Sequence, residues 1–421
     1  MKRLILFLFI FFFLFSPVLS AEEISLSLEE AVAIALRDNR EVLLKTEDLR
    51  KAKEKIAEAR AGLFPTLSFT GTLTDTRGLY TKDLDQSTTQ TTLKQYLYKG
   101  GRTANSIRQS KYKEEVSAAL LDRTKSEVIW NVKKAFYTLI LAQELCELNK
   151  AMVDNGNQHL ELIRERYKNG QAAESDVLNA EASLNSVRQA HKESLSQVEA
   201  SLALLNSLLY LADDTRIRPA TELNYQPQEV AYDAAFLKAI KERSEIKQYE
   251  AQAQADKKAI EIAKADTRPS VYASWDYYSR SHISASTSRN WNDYNVMGLT
   301  FSWPVFDGWL TKSKVEQAII DLKQTQLLKE KTIKDIAREL KVAYLYLGDA
   351  IAEIESAETD LKVYADNISA ARQKYNQGIV SLLDLNDADL KYAVSLFNRK
   401  QAVYDYIIAK SDFDRATGGL Q

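Results

Sequence analysis

The chain has 421 residues, 56 of them basic and 58 acidic, with three histidines and one cysteine, Cys146. A single cysteine excludes an intrachain disulfide, three scattered histidines leave little for a metal site, and the slightly acidic balance excludes a face built for nucleic acid. Beyond the first twenty residues no run approaches the ~18 consecutive apolar residues that a membrane-spanning helix needs.

Met1 to Ser20 opens with Lys2 and Arg3, runs apolar from Leu4 to Phe15, breaks at Pro17 and ends in small residues. The run is too short to cross a bilayer and a cleavage site follows it, so residues 1–20 read as a signal peptide and the mature chain as exported. No Cys follows the cleavage point, which argues against a lipid anchor there. Cleavage leaves 54 basic against 58 acidic residues, a net charge of −4.

Residues 21–212 form a first repeat. From Ser27 to Gly62 a helical pattern rich in Ala, Leu, Glu and Lys runs without proline and stops before Pro65. A period of two then takes over: Leu67, Phe69, Gly71 and Leu73 alternate with Ser68, Thr70, Thr72 and Thr74, which predicts a strand over about 66–76. A polar loop at 77–87, a second strand over about 88–98 and Gly100-Gly101 follow. The long helical pattern after them, Arg102 to Lys168, would be roughly 100 Å long at ~1.5 Å per residue. A compact monomer has no use for such a rod.

Residues 213–229 carry Pro219 and Pro227 and no helical period, and read as a linker. The second repeat, 230–421, returns to the same order: a helix over about 232–265, Pro269, strands at about 270–278 and 294–303, Gly308 and another long helical pattern. Pro65 and Pro269 are 204 residues apart, Gly101 and Gly308 are 207 apart, and Gly170 and Gly378 are 208 apart. A unit of about 200 residues is duplicated, and the drift is that of loop-length changes.

Both long patterns carry heptad seams with spacings of three and four. The first holds Val128, Val132, Ala135, Leu139, Ala142, Cys146 and Val153; the second runs from Ile333 through Ile336, Leu340, Ala343, Leu347, Ala350 and Ile354 to Leu361. Each rod ends in the same turn, Tyr-x-x-Gly-x(5)-Asp. The copies are Tyr167, Gly170 and Asp176, and Tyr375, Gly378 and Asp384. The return helices run from about Ser175 and Ser381. Glycine leaves the right-handed helix without steric cost and a serine can cap the next helix, so these are two hairpin tips.

Four strands of about ten residues have the length to cross a bilayer when tilted, but four cannot close a barrel, and hydrocarbon tolerates no open edge. Several chains would have to share one barrel. Two amphipathic hairpins also suit a soluble sandwich. Trp275, Trp291, Trp303 and Trp309, with Tyr272, Tyr277, Tyr278 and Tyr294, cluster at or beside the second hairpin and favour a membrane interface.

The signal peptide, the duplicated helix–strand–strand–helix–helix unit, the prolines entering and glycines leaving each strand pair, and the twin tips together resemble the TolC-like outer-membrane efflux proteins across essentially the whole mature chain. The resemblance implies a mainly α fold with a small β part: a homotrimer with a twelve-stranded transmembrane β-barrel, four strands per chain, on a long α-helical coiled-coil tunnel. It implies a channel in the outer membrane, surrounded by lipid, with the tunnel in the periplasm. The channel would receive substrates from an inner-membrane pump and a periplasmic adaptor, in a tripartite efflux or type I secretion system. By motif, Asp384 and Asp387 fall at the pore constriction, Tyr375 and Asp176 form a gate link, and Tyr167, Gly170 and Gly378 shape the tips where the adaptor docks. Where the best-known member has a gate arginine two residues after the second tip glycine, this chain has Val380.

These residues also have plainer roles. Asp384 stands three after Ser381, a capping-box spacing, and Asp176 lies in the first turn of its helix, where the dipole favours a carboxylate. Asp387 is one turn further in, where a cap has no use for it. No phosphate-cradling loop, paired-histidine spacing or activated nucleophile is present, so no catalytic residue, cofactor or metal is expected. The remaining alternative is a periplasmic coiled-coil scaffold.

Overall fold

The computed structural model describes residues 23–79, 82–223, 225–226, 230–283, 290–377 and 379–419, so the signal peptide lies outside it. The elements in order are β1 (Glu23–Leu26), α1 (Leu28–Asp38), α2 (Arg40–Ala61), β2 (Thr66–Leu79), β3 (Lys82–Lys99), α3 (Arg102–Lys168) and α4 (Glu174–Leu209). After them come β4 (Arg216–Pro219), α5 (Tyr232–Glu242), α6 (Ser244–Lys264), β5 (Ser270–Ile283), β6 (Asn290–Ser302), α7 (Leu310–Asn376) and α8 (Leu382–Ala416). The described residues gather into two compact units, 44–123 with 240–337, and 23–43 with 124–239 and 338–419, and both long helices contribute to each.

In the first of these units, β2, β3, β5 and β6 form one antiparallel sheet in that order, so the two repeats meet at the β3–β5 pair. The ladder sorts side chains by chemistry. One face carries the rungs Leu67–Leu93–Trp275–Met297 and Phe69–Thr91–Tyr277–Asn295, with Leu73, Leu299 and Phe301 on the same side. The other carries Thr70–Gln90–Tyr278–Tyr294 and Thr66–Lys94–Ser274–Gly298. On this polar face the Gln90 amide donates to Asp276 at 3.0 Å and to the Tyr278 hydroxyl at 2.9 Å, Tyr278 stacks on Tyr294, and the Lys94 ammonium sits 3.8 Å over the Tyr272 ring. On the apolar face Met297 is 80% exposed and Leu73 83%, so large side chains stand where water would penalise them.

The strands run longer than their alternation predicts. The expected polar loop at 77–87 is mostly ladder, with pairing carried to Leu79 and Lys82, and its tip at 80–81 lies outside the described residues. β5 reaches Ile283 and β6 begins at Asn290; residues 284–289 are also outside. Threonine and serine, which read as loop, serve equally on a pleated surface. At the exit of β3, Gly100 has φ +60°, and a Cβ there would stand 2.8 Å from the Ala265 carbonyl oxygen and the Arg268 Cβ, a place only glycine can fill.

In the other unit the heptad seams are the core. Val128, Val132, Ala135, Leu139 and Ala142 of α3 are buried, as are Leu340, Ala343, Leu347, Ala350 and Ile354 of α7. Ser27 caps α1 through a full capping box: its hydroxyl accepts from the Glu30 amide at 3.2 Å, and its own amide donates to the Glu30 carboxylate at 2.8 Å. The stretch 213–229, expected to be a plain linker, contains β4, which pairs in parallel with β1, Ile217 opposite Ile24, and both Ile217 and Leu26 are buried. Two four-residue strands carry no period long enough to recognise. Residues 224 and 227–229 lie outside the described residues.

Each repeat's first helix, expected to be continuous, is two helices. The breaks fall at Asn39, ψ 125°, and Arg243, ψ 126°, which are 204 residues apart like the two prolines. Asn39 turns its side-chain carbonyl onto the Glu41 amide at 2.9 Å, a local bond that competes with the helix. Arg243 is held by Glu245 through Nε and Nη2 at 3.1 and 2.9 Å.

Phe136 is fully buried and meets Tyr137 edge-to-face with ring centroids 6.0 Å apart. Phe136→Ala should cost about 3–5 kcal/mol, read as a lower unfolding midpoint in the helical circular dichroism of the full chain.

Candidate gate at the helix tips

The two tips are the same turn built twice. In the first, the Gly170 amide donates to the Tyr167 carbonyl at 3.0 Å and the Gln171 amide reaches back five residues to Arg166 at 2.8 Å, with Gly170 at φ +69°. In the second, the Ile379 amide reaches back five residues to Lys374 at 2.9 Å. Gly378 itself lies outside the described residues. Tyr167 and Tyr375 occupy the last turn of α3 and of α7, the first well exposed and the second at the edge of exposure.

The helices that leave the tips differ in their caps. Ser381 and Asp384 complete a capping box: the Ser381 amide donates to Asp384 Oδ2 at 3.0 Å, its hydroxyl donates to the same oxygen at 2.7 Å, and the Asp384 amide donates to Ser381 Oγ at 3.2 Å. In the first copy the helix begins one residue before Ser175, and Ala173 takes the cap position without a hydroxyl. Half the box survives there, with the Ala173 amide donating to Asp176 Oδ2 at 3.0 Å. Asp176 is therefore turned back onto its own tip, and the Tyr375 hydroxyl takes no hydrogen bond among the described residues of the chain.

Asp387, one turn beyond Asp384, accepts from Lys391 at 2.8 Å, and this bond holds the Lys391 ammonium above its usual pKa. It shares with Glu353 and Asp360 of α7 a groove of about 500 Å³ between the helices of the second hairpin. Lys391, at i+4 from Asp387, was legible as a partner. The two α7 carboxylates were not, because a helix seam records which residues face inward, not what lies across the groove.

A further pair repeats at the same offset. Arg164 of α3 donates to Glu181 of α4 at 2.6 Å, and Arg372 of α7 donates to Asp389 of α8 at 3.0 Å. Each acid lies 17 residues after its arginine, and the pairs are 208 residues apart, like the tip glycines. They are one staple, made twice, across each hairpin. Charges of matching sign at a fixed offset were the signal for it. Among the described residues no cluster of ligating side chains suited to a metal occurs.

A membrane-length sheet with one apolar face, carried on long helical hairpins that end in twin capped tips, defines an outer-membrane channel protein with a helical extension. The outer membrane efflux protein family model matches residues 32–209 and 237–419, and the chain belongs to that family. It is 24% identical to the alkaline protease secretion protein AprF of Pseudomonas aeruginosa over 97% of this chain and 87% of that protein. It is 22% identical to the outer membrane protein TolC of Escherichia coli over 91% and 80% of the two chains. Among solved structures, the CmeC outer membrane channel of Campylobacter jejuni superposes with a TM-score of 0.78 at 17% identity, covering 93% of this chain and 85% of that one.

The hydrogen bonds from Ser381 hold the Asp384 carboxyl below the ordinary aspartate value. A depressed carboxyl stabilises the fold above its unfolded pKa, and this contribution is lost as pH falls through the folded value. Amide protection of Asp384 and Leu385 should thus stay flat from neutral pH to about 4 and fall below it. Asp384→Asn should abolish that acid step in hydrogen-exchange profiles.

Proposed function

We propose that three copies of this chain share one barrel and one tunnel, and that the tunnel carries substrates from an inner-membrane pump and its periplasmic adaptor to the exterior, in a tripartite efflux or type I secretion system. The observation that carries the trimer is the sheet. β2 and β6 each have a ladder partner on one side only, and the apolar face beside them is widely exposed. An open edge is not tolerated in hydrocarbon, and copies joined edge to edge would remove it while leaving the apolar face to lipid. The polar face, with its Gln90–Asp276–Tyr278 bonds, would then line the lumen.

In this reading the tips are the periplasmic gate. Tyr167, Gly170 and Gly378 shape the turns on which the adaptor docks, and Asp176 with Tyr375 forms a link that tightens when the hairpins close. Asp384 and Asp387 ring the constriction, and their parts differ. Asp384 is engaged by its cap, whereas Asp387 is exposed and, among the described residues, is paired with a lysine on its own helix. The ring belongs to the second tip alone, since the place 208 residues earlier is Asn179.

Asp384→Ala with Asp387→Ala should raise single-channel conductance in planar bilayers and weaken block by multivalent cations, whereas Lys391→Ala should strengthen that block by freeing Asp387. Conductance and block that stay as in the wild type would remove the two aspartates from the constriction. Placement in the membrane is tested on the sheet. Phe69→Arg, on the apolar face, should destabilise the protein in lipid vesicles by about 2–4 kcal/mol if it lies near mid-bilayer, and Thr70→Arg on the other face should be tolerated. Equal effects of the two, or recovery of the chain only from the soluble periplasm, would favour the scaffold.

A further inference from the structure

Two contacts tie the second hairpin to the first near the tips, and neither has a counterpart at the duplicated positions. Asn386 of α8 lies 3.1 Å from His159 Nδ1 on α3, and the Asn155 amide of α3 donates to Asp389 Oδ2 at 3.5 Å. Asn155 and His159 are four residues apart on one face of α3; Asn386 and Asp389 are three apart on one face of α8. Asp389 is therefore a node: one oxygen serves the staple to Arg372 within its own hairpin, and the other reaches the neighbouring hairpin. Among the described residues, the equivalent acid of the first copy, Glu181, bonds only to Arg164, within its own hairpin.

The geometry points to a latch that holds the second hairpin against the first and so opposes opening, made by Asn155 and His159 on one side and Asn386 and Asp389 on the other. It rests on the gate reading above and deepens it. The latch stands about one to two turns from the start of α8 and about two and a half to three and a half turns from the end of α3. It supplies a hold between hairpins in a chain where Val380, a residue without a polar side chain, occupies the turn. The hold is weak by construction. Every member of the network is at least partly accessible to water, so each bond contributes a few-fold to an equilibrium constant rather than orders of magnitude. A gate moved by the docking of another protein needs a restraint of that size. These four are positioning residues: they act through the placement of α8, on which Asp384 and Asp387 ride.

The staple inside the second hairpin separates the latch from general stability. Asn155→Ala with His159→Ala removes both ties from the first hairpin and leaves Arg372–Asp389 intact. In planar bilayers the full-length double variant should spend about five- to tenfold more time in the open state, the factor expected from two exposed hydrogen bonds. Asn155→Lys sets an ammonium against Asp389 and should change open time in the opposite direction, a sign reversal that a loosened fold would not produce. Should the double variant fail to assemble, Asn386→Ala, which removes the His159 tie and leaves Arg372–Asp389 intact, is expected to raise open time on its own. Unchanged gating in these variants, with altered conductance in Asp384→Ala/Asp387→Ala, would overturn the latch and leave the gate standing. Unchanged behaviour in both sets would remove the gate reading, and the latch with it.

Discussion

The constraint on which everything else depends is that hydrocarbon contains no hydrogen-bond partners. A backbone amide or carbonyl left unpaired there costs several kcal/mol, so a spanning strand must have a neighbour on each side. Here the four-stranded sheet meets that demand at β3 and β5 and leaves it open at β2 and β6. The duplication is what makes the sheet four strands wide: neither repeat's hairpin alone buries an edge, and the β3–β5 ladder between repeats runs from Lys99 and Ser270 to Asp85 and Ile283. Under the proposed membrane placement, assembly with other copies would supply the missing neighbours at those two edges.

Given that scaffold, the two repeats divide the work. Architecture is repeated faithfully: a break at Asn39 and at Arg243, a reach-back turn at each tip, and a staple at Arg164–Glu181 and at Arg372–Asp389. Chemistry is not. The first copy has Asn179 where the second has Asp387 and caps its return helix with Ala173 where the second uses Ser381. Duplicated backbone gives matched hairpins that can lie side by side. Diverged side chains give one of them the exposed charge.

Much of this was legible because the responsible physics is local and periodic. Heptad seams mark the buried stripe, alternation marks the sheet faces, and a Ser-x-x-Asp or Ser-x-x-Glu spacing marks a cap, all from neighbours a few residues apart. What escaped was set by partners distant in sequence or too short to show a period. β1 and β4 are four residues each and exist because they pair with one another across nearly two hundred residues. The kink at Arg243 depends on a side chain finding Glu245 instead of water, in a stretch whose composition reads as uninterrupted helix. At the site, the motif gave the tyrosines, glycines and aspartates of the tips. It was silent on where the carboxylates turn: Asp176 and Asp384 onto their own caps, Asp387 to Lys391, and Asp389, which no motif singled out, to two helices at once.

The apolar packing near the tips is duplicated as well. In the first hairpin Leu160, Ala180 and Leu184 form a buried cluster extended by Val153 and Val177, so α3 and α4 are joined by apolar contacts almost to the turn, in addition to their staple. In the second hairpin Ile368 and Ala388, 208 residues after Leu160 and Ala180, are buried in the same way. Apolar burial is hard to undo by degrees, because each side chain pulled from a packed cluster forfeits most of its contacts at once. Solvated bonds such as Asn155–Asp389 yield separately and cheaply. A restraint that must release without unfolding its neighbours therefore belongs on exposed polar groups between hairpins, and apolar packing belongs within them. Regions of low local stability are where proteins place their moving parts.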